Sequence, residues 1–152
     1  MIEHLYLTKL SHWDPSIRDL TSKSLKGLTR LDRDYIATVV VPYLLENSLD
    51  VRDVQLRHGS VLGLAEIILA FGELKAGDYG FGGILSDQLL ADIAELVPTI
   101  EKKRLYRGKG GEQMRAAVCR LIECISITRI PLTVPQQVSE AVNMISCFHW
   151  ES

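Results

Sequence analysis

The chain has 152 residues, of which 47% are apolar and 24% charged, and at this length about 70% of the surface exposed by the unfolded chain is buried on folding. A formal net charge of −2 and a pI near 6.1 exclude a general attraction to nucleic acid or to an anionic membrane. The N-terminal residues do not resemble a targeting signal and no apolar run approaches the roughly 18 residues of a membrane span, so we predict a protein without either feature. The three cysteines form an odd set without a CxxC pair, which suits a reducing compartment and predicts the cytoplasm.

Helical periodicity begins at the N-terminus, and residues 2–10 are predicted to form a short first helix. Asp14 followed by Pro15 predicts the start of a second helix. An Asp side chain caps the free N–H groups of a first turn, and Pro suits the first helical position. The apolar spacing along this helix predicts that one face is covered. The residues of that face are Ile17, Leu20, Leu25, Leu28 and Leu31.

The next two predicted helices occupy residues 34–45 and a stretch from Asp53 to about Leu74. Pro42 lies inside the first of them and is expected to kink it rather than abolish it. The second contains interior glycines, each of which costs up to about 1 kcal/mol of helix stability relative to Ala. We therefore predict that close helix contacts require them. These glycines are Gly59, Gly63 and Gly72.

A Gly-rich segment at residues 76–85 is predicted to be an inserted loop. Helical periodicity resumes near Ser86, a predicted N-cap, in a helix that Pro98 interrupts. A further helix is predicted at residues 112–128, and a last one after Pro135. The chain is thus predicted to be all-α.

An internal repeat relates these helices. A displacement of 39 residues aligns Arg18 with Arg57, and a displacement of 97 aligns Arg18 with Arg115. A helix with an internal Pro, a turn, and a second helix with Arg near its start, recurring about every 40 residues, is typical of HEAT and armadillo proteins. We predict a HEAT/armadillo-type α-solenoid of about three helix pairs, which stack because no pair buries its apolar face alone. The repeat positions are Asp14, Arg18, Pro42, Asp53, Arg57, Pro98 and Arg115.

The domain organisation follows from the repeat. Residues 1–152 are predicted to be one solenoid segment of a longer protein, because the first helix lacks a partner and Trp150 to Ser152 do not form a polar capping pair. The insertion at residues 76–85 explains why the interval between Arg57 and Arg115 is enlarged.

Two passages are more specific than helix stacking requires. Residues 54–67 (VQLRHGSVLGLAEI) and 105–123 (LYRGKGGEQMRAAVCRLIE), with His12-Trp13-Asp14, resemble the tubulin-folding cofactor D family from about residue 7 to residue 131. The resemblance implies a chaperone that receives β-tubulin. It also implies that other tubulin-folding cofactors and an Arf-like small GTPase are its partners in assembling or dismantling the α/β-tubulin heterodimer. The expected location is the cytoplasm, in association with the cytoskeleton.

A basic segment before the sixth predicted helix is a candidate protein-binding site. An acidic partner surface would suit it, and inter-helix turns are where solenoids commonly place contacts. The alternative is a solvated turn without a partner. The candidate residues are Lys102, Lys103, Arg104, Tyr106, Arg107 and Lys109.

We interpret the remaining arginine, histidine and cysteine candidates as structural residues. Arg18 and Arg57 each follow an Asp by four residues and are predicted to form a ladder of caps and ion pairs along the stack. His58 is interpreted as a structural histidine at a helix start, and Cys119 and Cys124 as inert buried thiols. The Gly-rich stretches lack the GK[ST] ending of a phosphate loop. We therefore predict no cofactor, no metal and no enzymatic activity.

Two alternative functions remain open at this point. A HEAT-type scaffold could serve unrelated partners, as in a transport receptor or a phosphatase subunit. More remotely, the chain could be a small hydrolase or a nucleotide-dependent enzyme, which detectable turnover or nucleotide binding would favour.

Overall fold

The computed structural model describes residues 1–74 and 83–130, and within these ranges all regular structure is helical. Two of the six helices contain a wider, π-helical turn. The helices are α1 (Ile2–His4 with the π turn Leu5–Lys9), α2 (Pro15–Thr29), α3 (Arg33–Tyr35, the π turn Ile36–Val40 and Val41–Asn47), α4 (Val54–Leu74), α5 (Asp87–Lys102) and α6 (Gly111–Thr128).

The predicted helix starts and internal prolines are found where the sequence places them. The carboxylate of Asp14 accepts a hydrogen bond from the N–H of Ser16 at 2.8 Å, with Pro15 as the first helical residue. Pro42 lies within α3 just after its π turn, and Pro98 lies inside α5. Both helices continue beyond their prolines, so neither proline ends its helix.

The helices form two layers of three. Helices α2, α4 and α6 form one layer, in which α4 packs against both neighbours. In the other layer α1 meets α3, where the rings of Tyr6 and Tyr43 make an edge contact with centroids 5.0 Å apart, and α3 meets α5. Consecutive helices thus form three stacked pairs, which confirms the prediction of an all-α helical-repeat fold. The expectation that the first helix lacks a partner was wrong, because α1 packs against α2.

The core runs through all three pairs, and α4 is its central element. Leu64, Ile67, Ile68 and Phe71 of this helix are fully buried. By length and composition, α4 is the one helix of the described residues that is apolar enough to cross a membrane, with a mean hydropathy of 1.3. However, 72% of that stretch is buried inside the protein. Burial between two neighbouring helices accounts for its apolar character.

The predicted apolar face of α2 is only partly covered. Leu25 is fully buried, but Leu20 is 62% exposed, and Leu31, just beyond the helix, is 78% exposed. The expectation that these two residues are covered was wrong, because the face of α2 that packs against α4 contains polar as well as apolar residues. Its buried residues are Arg18, Thr21, Ser22, Leu25 and Thr29.

Close helix contacts explain the glycines of α4. A Cβ at Gly59 would collide with the main-chain carbonyl of Leu10, at the end of α1, and a Cβ at Gly72 would collide with the side chain of Thr128 in α6. Gly63 faces the side chain of Leu10, where a Cβ would lie 3.0 Å from Cδ1. The prediction that close contacts require these glycines is confirmed.

Some predicted features lie partly or wholly outside the described residues. Residues 83–86 lead into α5, where Ser86 caps the helix by accepting from the N–H of Leu89 at 3.3 Å. The structure does not describe residues 76–82 of the predicted loop, the predicted helix after Pro135, or Cys147.

Candidate protein-binding surface

Arg18 connects three helices at one end of the α2, α4 and α6 layer. The side chain is only 2% exposed. Its Nη1 donates to the carbonyl oxygens of His12 and Trp13, at 2.6 and 3.0 Å. Nε donates to Nδ1 of His58 at 2.9 Å, and Nη2 donates to Oε1 of Gln113 at 2.9 Å. One guanidinium thus fixes the turn before α2 and sets the position of α2 against α4 and α6.

His58 is the partner of Arg18 in α4 and is buried. Burial disfavours the charged ring and the cation of Arg18 repels it, which lowers the pKa of His58 to about 4. A neutral ring that accepts at Nδ1 carries its proton on Nε2. The geometry supports a structural role for His58, because its acceptor nitrogen is already used within the protein.

Arg57 occupies a position equivalent to that of Arg18 in the second helix pair. It is 5% exposed, and Nη1 donates to the carbonyl oxygen of Asp50 at 2.5 Å, in the turn that precedes α4. Each buried arginine therefore holds the turn between the helices of its own pair. At the start of α4, the carboxylate of Asp53 accepts from the N–H of Leu56 at 2.9 Å, as an N-cap does.

The predicted ladder of ion pairs is not formed by these arginines. Among the ion pairs of the described residues, neither Arg18 nor Arg57 takes part. Asp14 and Asp53 use their carboxylates as helix caps, so the buried guanidinium groups bind main-chain carbonyl oxygens instead. Burial lowers the pKa of Arg18, and the negative charges of the two carboxylates oppose this lowering.

Arg115 differs from the first two repeat positions. It is half-buried in α6, and its guanidinium lies beside Gly111. The N-cap residue of α6 is Gly110, at φ 80°, which has no side chain with which to cap the helix. The third pair therefore keeps the arginine but has lost the Asp cap of the other two.

The predicted basic site forms the turn between α5 and α6. Leu105 is buried and anchors the turn, and its N–H donates to the carbonyl of Ile100 at 3.1 Å. Arg104 adopts a left-handed conformation at φ 52°. Around this anchor the five cations are exposed and Tyr106 is half-buried. We call this set the basic turn, and its members are Lys102, Lys103, Arg104, Tyr106, Arg107 and Lys109.

A groove lies on the layer of α2, α4 and α6, with α4 as its floor. Its cavity of about 550 Å³ is lined by His58, Leu62 and Glu66 of α4 and by side chains of the two flanking helices. Gln113, in the first turn of α6, connects the end of this groove to the basic turn through the chain. Sequence reasoning missed the groove, because it depends on how three helices sit side by side.

Charged side chains on the walls of this groove are paired. Lys23 and Asp19 of α2 lie 2.6 Å apart. On the other wall, Arg120 binds the buried carboxylate of Glu66 at 2.8 Å and that of Glu123 at 2.8 Å. The basic turn is therefore the more open source of positive charge beside the groove.

The described residues contain no group of three or more His, Cys, Asp or Glu side chains placed to hold a metal ion. The prediction of a buried thiol is confirmed for Cys124 but was wrong for Cys119, which is half-buried because its side of α6 is only partly covered. Burial raises the pKa of Cys124 to about 11, which leaves almost no thiolate at neutral pH.

Three stacked helix pairs around one continuous core define an all-α helical-repeat protein, with an outer groove and a basic turn as its candidate contact surfaces. Over 132 residues the chain is 30% identical to tubulin-specific chaperone D of Dictyostelium discoideum. The alignment covers 87% of this chain but only 8% of the relative. No protein-family model matches the chain, and no solved structure matches it.

Proposed function

We propose that this chain is a non-catalytic scaffold segment of a tubulin-folding chaperone, and that it contacts tubulin through the basic turn and the adjoining groove. The observation that carries the proposal is the 30% identity to tubulin-specific chaperone D across 87% of the chain. The structure supports it in that stacked helix pairs leave the outer surfaces of the layers for contacts with other proteins.

In this proposal the client is β-tubulin, and the purpose of the contact is to assemble or dismantle the α/β-tubulin heterodimer. Other tubulin-folding cofactors and an Arf-like small GTPase are the further proposed partners. The proposed location is the cytoplasm, in association with the cytoskeleton. The similarity spans only 8% of the relative. These partners and this location are therefore proposed for a longer protein of which this chain is one segment.

The basic turn is the proposed electrostatic contact, because its five exposed cations stand together on one anchored turn. Exposed charges of one sign raise association rates with an oppositely charged surface and lose this effect in salt. Binding should therefore weaken as salt rises, and it should weaken when the charge of the turn is reversed.

The test measures binding of purified α/β-tubulin to the chain and to a variant with Arg104→Glu, Arg107→Glu and Lys109→Glu. A control variant with Lys9→Glu, Arg33→Glu and Arg129→Glu has the same net charge as the first variant. Arg129 is included because its backbone is left-handed, at φ 53°, like that of Arg104. We expect the first variant to raise Kd about tenfold or more with little change in melting temperature, and the control to bind normally. Tubulin binding that is equal in both variants would refute the contact, and no binding by the unmodified chain would refute the proposed function.

A further inference from the structure

A second groove lies in the opposite layer, between α3 and α5. Among the described residues, its cavity of about 430 Å³ is lined by α3, by the turn that follows it, and by α5. Aliphatic side chains from both sides form its apolar lining. They are Leu45, Leu49, Leu89 and Leu96.

The rim of this groove is acidic. Glu46 projects from α3, and Asp92 and Glu95 project from α5, all three with exposed side chains. Asp92 accepts a hydrogen bond from the amide of Gln88 at 2.8 Å, which leaves its negative charge in place. The described residues that line the groove include no Lys or Arg. In the groove of α2, α4 and α6, by contrast, basic side chains line the walls together with acidic ones.

The spacing of the leucines matches the dimensions of a helix. Leu89 and Leu96 are seven residues apart on α5, which separates them by about 10 Å along the helix axis, or two turns. Leu45 and Leu49 line the facing side. A third helix could bury apolar residues at positions i, i+3 or i+4, and i+7 between these two rows, which is the common way in which a groove between helices binds a partner.

We propose that the groove between α3 and α5 binds a basic amphipathic helix of a partner protein. Its apolar face packs on the half-buried Leu45, Leu49 and Leu89, above the buried Leu96, and flanking Lys or Arg side chains reach Glu46 and Asp92 on either side. This site uses the layer opposite to the proposed tubulin contact. The segment can therefore hold two protein chains at once, one on each layer.

The probe is a synthetic amphipathic peptide of leucine and lysine, about 14 residues or four helical turns long, with a fluorescent label. A peptide of the same pattern with glutamate in place of lysine is the control ligand. Binding is measured by fluorescence anisotropy, and its location by hydrogen exchange of α3 and α5. We expect the lysine peptide to bind and protect these two helices, and the glutamate peptide to bind at least about tenfold more weakly.

Two protein variants make the test specific. Glu46→Lys with Asp92→Lys reverses the rim and should reduce binding of the lysine peptide about tenfold or more. Asp34→Lys with Glu112→Lys makes the same change in net charge at exposed sites outside the groove and should leave binding unchanged. Equal affinity of both variants, or protection outside α3 and α5, would overturn the proposal. Tubulin binding by the rim variant should be normal, so this test and that of the proposed function can fail separately.

Discussion

Arg18 and His58 lie 40 residues apart in sequence and meet in the interior, where Nε of Arg18 donates to Nδ1 of His58 at 2.9 Å. A protonated ring has no acceptor nitrogen and would place a second positive charge against the guanidinium. The contact between α2 and α4 at this end therefore requires a neutral histidine.

Stability should fall at mildly acidic pH because of His58. Its pKa is about 4 in the folded protein, below the ordinary 6.5. As pH falls below 6.5 the unfolded chain takes up a proton that the folded chain does not, so the free energy of unfolding drops, by up to about 3 kcal/mol at pH 4. Urea unfolding between about pH 7 and pH 5 should show a shallower loss for His58→Gln than for the unmodified chain. Parallel pH profiles would contradict this assignment.

Substitution of Gly59 should be far more damaging than substitution of Gly27. A Cβ at Gly59 meets the carbonyl of Leu10, whereas a Cβ at Gly27 has no neighbour within 4 Å in the described part of the chain. We expect Gly59→Ala to cost about 3 kcal/mol or more, because main chain must move to relieve the clash. Gly27→Ala should gain up to about 1 kcal/mol from helix propensity. Urea unfolding of both variants measures the difference, and similar stabilities would show that α1 is not held against α4.

The Arg120 and Glu66 pair should contribute more to stability than the Lys23 and Asp19 pair. Glu66 is 5% exposed, so Arg120→Ala leaves a buried carboxylate without its cation and should cost about 2 to 3 kcal/mol. The pair of Lys23 and Asp19 is open to solvent, and Lys23→Ala should have no measurable effect. Thermal unfolding of the two variants makes the comparison. If both variants melt at the same temperature as the unmodified chain, Glu66 is more solvated than its burial indicates.

Cys124 should be unreactive in the folded protein. It is fully buried, and its pKa of about 11 leaves little thiolate at neutral pH. Iodoacetamide should modify it only after unfolding, whereas the half-buried Cys119 should react slowly in the native state. Peptide mass mapping distinguishes the two sites. Rapid native modification of Cys124 would show that α6 opens readily.

The sequence predicts local features well because their causes are local. Asp14 before Pro15 marks the start of α2, since a cap and a fixed φ act within one turn. The glycines of α4 indicate close contacts, because a helix that retains them against propensity has another reason to do so. Neither inference requires knowledge of which helices are neighbours.

Features that join separate helices could not be predicted in this way. The bond from Arg18 to Gln113 depends on the placement of α2 against α6, across α4. The exposure of Leu20 depends on whether a helix covers the outer side of α2, and its amphipathic pattern is the same in either case. The acidic groove also arises only when α3 and α5 lie side by side. Residue spacing within one helix contains no information on such pairings.

The central place of α4 has a consequence for the way in which the chain opens. Its two flanking helices contact it but make few contacts with each other, so a fluctuation at either end of the stack uncovers one side of α4 and leaves the other protected. Amide protons near the middle of α4 should exchange with solvent only when the whole segment unfolds, while those of α2 and α6 exchange through partial openings. If the two ends of the helix stack were pulled apart by force, α4 would be the last of these helices to unfold.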